Sequence, residues 1–263
     1  MKPLGIAASV EDSTYSLDKI CSHFPSKESI AVVSRSFSEN SSGIEFTSYE
    51  ISDNGHWSAS GAHIDFSNLL DKLATKHEYV FISGFPEVNI PHLVINGHSH
   101  SGTTLIEVSS TSKLNIPDLI SKLDKTEPFE SLDSLIGKIL QSPDANLAGA
   151  IATFTGRVRE LDHLSDSSTT RLEFEKYSGI AESRMEKICS EIREKNGVFE
   201  VLMHHRTGPI ESGKDVVFVV VLAGHRNEAF EAVQEGINRI KSEVPIFKKE
   251  IKIDGSFWVH DRP

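Results

Sequence analysis

The chain has 263 residues, 25% charged and 38% apolar, with 27 basic against 38 acidic side chains and a formal net charge of −11. That balance excludes a disordered acidic tail and a disulfide scaffold, and it argues against broad binding along a nucleic-acid backbone. The length admits two modest domains, each able to bury its own core.

The first half alternates short apolar runs with helical spacing, the pattern of parallel βαβ units. Strands are predicted at Leu4–Ala8, Ile30–Ser34, Tyr79–Ile82 and Leu93–Ile95, with helices near residues 15–24, 65–76 and 116–123. Serine-rich stretches at 34–42 and 165–170 read as loops. A strand and helix opening a chain is where a phosphate-binding loop would sit. Such a loop needs two glycines, a lysine that neutralises phosphate and a hydroxyl that holds magnesium. Aligning Leu4 to Leu17 with that bracket puts Ala8, Ser13, Thr14 and Tyr15 at those positions, and starting at Gly5 gives Val10, Glu11 and Asp12. An acidic loop without the lysine repels a nucleotide. His98 and His100 flank Ser99, but two histidines without a third ligand read as a surface loop rather than a metal site.

Leu132, Leu135, Ile136, Ile139 and Leu140 then form a short amphipathic helix pattern. A boundary near Pro128 gives domains 1–127 and 128–263. Residues 1–140 carry 10 − 18 = −8 charges and residues 141–263 carry 17 − 20 = −3, so most of the basic chemistry lies in the second half.

That half predicts an α+β domain. Strands fall at Ala148–Thr155, Thr170–Tyr177, Phe199–His205 and Val216–Ala223, the last a buried apolar run, with helices at 180–195 and 226–242. A hairpin, Lys249–Ile253 and Ser256–His260 around Asp254-Gly255, closes the chain.

Three basic groups sit at element ends. Arg157 and Arg159 follow the strand ending at Thr155, and they share a face if the extension persists, as a phosphate clamp or as a solvated strand end. His225 and Arg226 open a helix after Gly224, where free amides favour an anion and cations are disfavoured unless an anion or a carboxylate answers them. Lys241 ends that helix, and Pro245 turns the chain toward Lys248. Two lysines held close would lower each other's pKa, although helix capping alone accounts for Lys241. His225 and Lys241 are 241 − 225 = 16 positions apart, about 24 Å along one helix at ~1.5 Å per residue. One small ligand reaches both only if two protomers meet, which predicts a homodimer with composite sites.

The cysteines, Cys21 and Cys189, are too few for a secreted framework and read as reduced structural thiols. No run approaches a membrane span, and Met1-Lys2-Pro3-Leu4 lacks a signal-peptide core. The expectation is a cytoplasmic protein that engages neither membrane nor nucleic acid.

The ordered set Gly149–Arg159, Leu172–Tyr177, His205-Arg206-Thr207-Gly208, His225-Arg226 and Lys241 to Lys248 resembles the catalytic, large subunit of molybdopterin synthase over about residues 130–263. The resemblance implies an α/β hammerhead fold. It also implies conversion of cyclic pyranopterin monophosphate to molybdopterin, with sulfur from the Gly-Gly thiocarboxylate of a small ubiquitin-like subunit and no metal or organic cofactor. By that resemblance Lys241 and Lys248 are catalytic, while Arg159, His225 and Arg226 bind substrate, the His-Arg pair coming from the other protomer; Arg157 joins the substrate-binding set from the strand-end clamp reading alone. Ile246-Phe247 stands where the family commonly has Phe-Trp. The first half, through its opening strand, Trp57–His63 and His77–Pro86, resembles the GTP-binding accessory protein of molybdenum cofactor guanylylation. That implies a degenerate P-loop fold of mainly parallel sheet, with Ser83 where an acidic residue is usual. The competing readings are a non-catalytic adaptor for cofactor intermediates or pathway partners, and a GTP-dependent guanylylation enzyme driven by the first half.

Overall fold

A computed structural model describes residues 1–24, 29–35, 48–51, 57–60, 66–161, 167–177 and 179–259. Residues 36–42, 61–63 and 165–166 and His260, which figure in the sequence reading, lie outside the described residues. The chain divides into two compact units, Met1–Phe129 and Glu130–Pro263.

The first unit runs β1 (Lys2–Ala7), α1 (Val10–Cys21), β2 (Ile30–Ser34), β3 (Ser48–Ile51), β4 (Trp57–Ser60), α2 (Phe66–Leu73), β5 (Tyr79–Ser83), β6 (Pro91–Ile95), β7 (Thr103–Val108) and α3 (Ile116–Asp124). Five of the strands form a parallel sheet in the order β2-β5-β1-β6-β7, and β3 and β4 pair antiparallel. Alternation along the strands builds a core on each face. Leu4, Ile6, Phe81 and Leu93 pack with Ile20 of α1 and Leu119 of α3, and Val80 and Ile82 pack with Leu70 of α2.

The predicted start of α1 is corrected here. The helix begins at Val10, because the Ser9 hydroxyl accepts the Asp12 amide and caps it, with Glu11 and Asp12 in the first turn. The β1–α1 connection is therefore Ala8-Ser9 alone. Two residues present no run of amides able to wrap a phosphate chain. β7, absent from the sequence reading, follows β6 through residues 96–102 without a helix, a shorter parallel crossover than the dozen or so residues usual for one.

The second unit runs α4 (Leu132–Ile139), β8 (Ala150–Arg157), β9 (Thr169–Lys176), α5 (Ile180–Arg193), β10 (Val198–His205), β11 (Gly208–Glu211), β12 (Asp215–Ala223), α6 (Arg226–Glu243), β13 (Ile246–Lys252) and β14 (Gly255–Val259). β12 is the middle strand of an antiparallel β10-β12-β8 sheet, and a second antiparallel sheet has the order β11-β9-β13-β14. Val217, Val219 and Val221 of β12 face α5 and α6, while Phe218, Val220 and Leu222 face Leu135 and Ile139 of α4. Burial on both faces explains the unbroken apolar run. The last hairpin turns at Ile253-Asp254, with Gly255 paired to Lys252 as the first residue of β14, one position earlier than the predicted Asp254-Gly255 turn.

Gly236 sets the height of α6 over its sheet. A Cβ there would lie 2.7 Å from Met203 Cε and 3.0 Å from Val219 Cγ1. Glycine inside a helix costs about 1 kcal/mol against alanine, and the close approach it permits offsets that cost. Gly236→Val should overpack the contact and destabilise the unit by about 1–3 kcal/mol, measured by chemical denaturation.

Two adjacent histidines of β10 are enclosed by the same packing. Burial pushes His204 down to about 3 and His205 down to about 4, although the Arg206 carbonyl receives His205 Nδ1 at 2.7 Å. Both rings are neutral near pH 7. The unfolded chain binds these protons near pH 6.5 and the fold resists them, so the associated stability is full above that pH and falls away toward pH 3. Acid titration of the denaturation midpoint should show a decline starting below about pH 6.5, of roughly 1 kcal/mol per pH unit per histidine. His205→Phe should flatten it.

Candidate functional site

β8 and α6 place the basic groups. β8 runs from Ala150, opposite Ala223, to Arg157, opposite Asp215. At ~3.4 Å per residue these ends are about 24 Å apart. β12 ends at Ala223, Gly224 follows, and α6 starts at once with His225 as its N-cap in extended conformation and no capping bond from the ring. The helix returns over β8 and β12 without interruption to Glu243. Lys241 therefore stands at the Arg157 end of the sheet, and His225 and Arg226 stand at the other.

Arg157 and Arg159 are both exposed, with Val158 only 1% exposed between them, although β8 itself ends at Arg157. Arg157 Nε donates to Asp215 Oδ1 at 2.8 Å across the β8–β12 pair. Arg159 follows Val158, whose amide and carbonyl bond Lys214 and Gly213.

The side chains of His225, Arg226 and Lys241 are exposed and make no hydrogen bond or ion pair among the described residues. Glu228 supplies the carboxylate in the first turn of α6 that suits the helix dipole, and its Oε2 is buried without a hydrogen-bond partner among the described residues. Elsewhere on α6 charges are answered: Arg239 meets Glu191 and Glu243. Cations left unanswered at both ends of one helix can hold an anion from outside the protomer. Lys248 differs from Lys241. It lies in β13 opposite Phe174 and Val259, half-buried, on the sheet face that also carries Phe174.

The His205-Arg206 segment is structural. Arg206 donates to the carbonyls of Glu130 and Asp215 and lies over the Phe218 ring. Glu130 is itself buried, and although burial pushes its carboxyl up, Lys138 and the Ser134 hydroxyl hold it below the usual range. Cys189 is buried, its thiol pushed up to about 12 by desolvation, whereas Cys21 is only half-buried. In the first unit His98 bonds the Ile95 carbonyl, and His100 stacks on His92, a buried ring that sequence reasoning overlooked. Among the described residues no group of three or more potential ligands could hold a metal ion, and no helix is long and apolar enough to cross a membrane.

A family model described as MoaE protein matches residues 125–243. "Probable molybdopterin synthase" of Haloferax volcanii is 45% identical over 224 residues, covering 85% of each chain. That exceeds the 263 − 129 = 134 residues of the second unit, so the likeness extends into the first. "Molybdopterin synthase catalytic subunit" of Bacillus subtilis is 40% identical over 124 residues, 47% of this chain and 78% of that one. A solved structure, molybdopterin synthase from Staphylococcus aureus, is 40% identical over 44% of this chain and 82% of that one, with a TM-score of 0.41. The extent of the Haloferax match, together with the family model over the unit that carries the basic groups, establishes that the chain belongs to the MoaE family of molybdopterin synthase catalytic subunits, sulfur-transferring enzymes of molybdenum cofactor biosynthesis.

Proposed function

We propose that the second unit converts cyclic pyranopterin monophosphate to molybdopterin at two composite sites of a homodimer, using sulfur delivered as the C-terminal Gly-Gly thiocarboxylate of a small ubiquitin-like subunit. The observation that carries this reading is the separation of cations along α6, with Lys241 at the arginine end and His225-Arg226 at the other. A symmetry mate that brings its helix N-terminus to the arginine end completes an anion pocket twice over.

In that pocket Arg159, with the partner protomer's copies of His225 and Arg226, holds the substrate phosphate. Arg157 keeps Asp215 as its counter-ion and so holds the strand end in place. The thiocarboxylate sulfur attacks the pterin side chain, so the protein's work is to position two anions and manage protons. Lys241, exposed and unanswered, contacts the carrier's C-terminus and acts on the acyl-thio intermediate. Lys248, half-buried, moves protons at the substrate. The exposed Tyr177 and Phe247, in edge contact at 5.5 Å, form an apolar patch on the sheet face opposite Lys248. We place this chemistry in domain 128–263 and in the cytoplasm, with no metal or organic cofactor.

For domain 1–127 the supported reading is a P-loop-like frame that no longer handles nucleotide. The central β1 followed by α1 in a parallel sheet supports the frame, and the Ala8-Ser9 connection with Glu11 and Asp12 behind it argues against phosphate binding. Titration calorimetry with GTP should show no binding at micromolar levels, and a micromolar affinity would reverse this reading.

Lys241→Ala should lower turnover by about 10²–10⁴-fold with the circular dichroism spectrum unchanged. Full activity would remove Lys241 from the mechanism. Composite sites make a sharper forecast. The inactive Lys241→Ala and Arg226→Ala proteins, mixed under subunit exchange, should regain about a quarter of wild-type activity, since half the dimers are mixed and each holds one intact site of two. No recovery despite exchange would place every site within one protomer.

A further inference from the structure

His92 of β6 is only 1% exposed, although its ring can take up a proton. It stands opposite Gly5 of β1 and Thr104 of β7, on the sheet face that also carries Ile82. A Cβ at Gly5 would collide with the Nε2–Cδ2 edge of the imidazole, so glycine is what lets the ring rest against β1. Nδ1 lies 2.8 Å from the Ile90 carbonyl, which can only accept, so the proton of the neutral ring is on Nδ1. Nε2 then carries a bare lone pair turned toward the Gly5 backbone, and no group among the described residues bonds it.

The two connections that flank β6 meet at this ring. Residues 84–90 join β5 to β6 and residues 96–102 join β6 to β7, each without a helix. Because these strands run parallel, each connection has to travel back along the sheet to reach the start of the next strand. The first supplies the Ile90 carbonyl, and Phe85 and Val88 seat it on the core. The second lays His100 on the His92 ring, with centroids 4.5 Å apart, and His100 Nε2 meets the Thr104 hydroxyl at 3.0 Å. The Ser101 amide donates to the Pro86 carbonyl at 2.8 Å and ties one connection to the other.

A proton added at Nε2 would sit against carbon with no acceptor, which leaves a charged donor buried and unsatisfied. Burial accordingly holds His92 below the ordinary histidine value; the Ile90 carbonyl opposes that and the nearby His100 adds to it. The other charged groups of the surrounding elements supply no acceptor. Glu87 pairs with Arg35, which lies over the Phe85 ring, and His98 is tied to the Ile95 carbonyl. Lys2 of β1 is engaged by the carbonyls of Asp124 and Thr126, Glu107 of β7 is exposed opposite Val94, and Asp71 and Lys72 belong to α2. We propose that His92 is an acid-sensitive clasp: its neutral ring holds both connections on the sheet, and protonation at Nε2 drives it off Gly5 and releases them together. The released chain takes its proton near pH 6.5, whereas the closed one resists it, so the clasp is firm above that pH and loosens as pH falls. Nothing in this depends on the chemistry assigned to the second unit.

Hydrogen exchange of the full chain, followed by mass spectrometry and corrected for intrinsic rates, tests the clasp between about pH 7.5 and about pH 5. Protection over residues 84–90 and 96–102 should fall by about tenfold per pH unit below about pH 6.5, while β1 and β5 keep theirs. His92→Asn and His92→Gln retain a donor for the Ile90 carbonyl without a titrating ring, and whichever folds should show a flat profile. His100→Phe, which keeps an aromatic ring over His92, should still show the decline. A flat profile in the unaltered protein would overturn the proposal, as would an equal decline in a folded His92 variant. So would a decline abolished by His100→Phe, which would move the sensor to the loop, or one shared by β1 and β5, which would mark unfolding of the whole unit.

Discussion

The second unit is governed by a spacing. Eighteen helical residues laid without a break over a three-stranded sheet hold two sets of cations about 24 Å apart, and neither the helix nor the strand can shorten that distance. Rigidity comes from β12, whose alternate side chains are consumed by helices on both faces, and from Gly236, which lets α6 settle close to Met203 and Val219. The chemistry of the basic residues follows from where this frame delivers them.

Charge is organised locally against the overall balance. A chain with eleven excess negative charges keeps Arg226 and Lys241, near the two ends of α6, exposed and without a side-chain partner among the described residues, while Arg239, between them on the same helix, is held by carboxylates. Buried groups take the opposite course. His204 and His205 surrender their charge to the core, and Glu130 retains its own only with Lys138 and Ser134 around it. The sequence displays all of these as polar letters, and burial decides which remain ions.

Much of the fold was legible because its signals are periodic. The apolar run of β12, the helical spacing of α5 and α6 and the strands β2 and β5 fall within two residues of their predicted bounds. Signals that depend on geometry were not. Ser9 and Asp12 form a cap that moves the start of α1 forward by a turn and more, and nothing apolar announces it. β7 was missed because its crossover lacks the helix that parallel strands usually require, and β11 because four residues are too few to show a period. Among site residues, the Arg157–Val158–Arg159 alternation could be read from spacing, but the Asp215 partner of Arg157 becomes visible only through strand register.

The two-residue link between β1 and α1 also constrains what this protein can become. A cradle for a triphosphate requires several residues more than the two that lie between a strand buried to Ala7 and a helix already capped at Ser9. Lengthening that link would displace the cap and unseat Ile20 from the core beneath it. Point substitutions alone therefore do not build a phosphate cradle at this position.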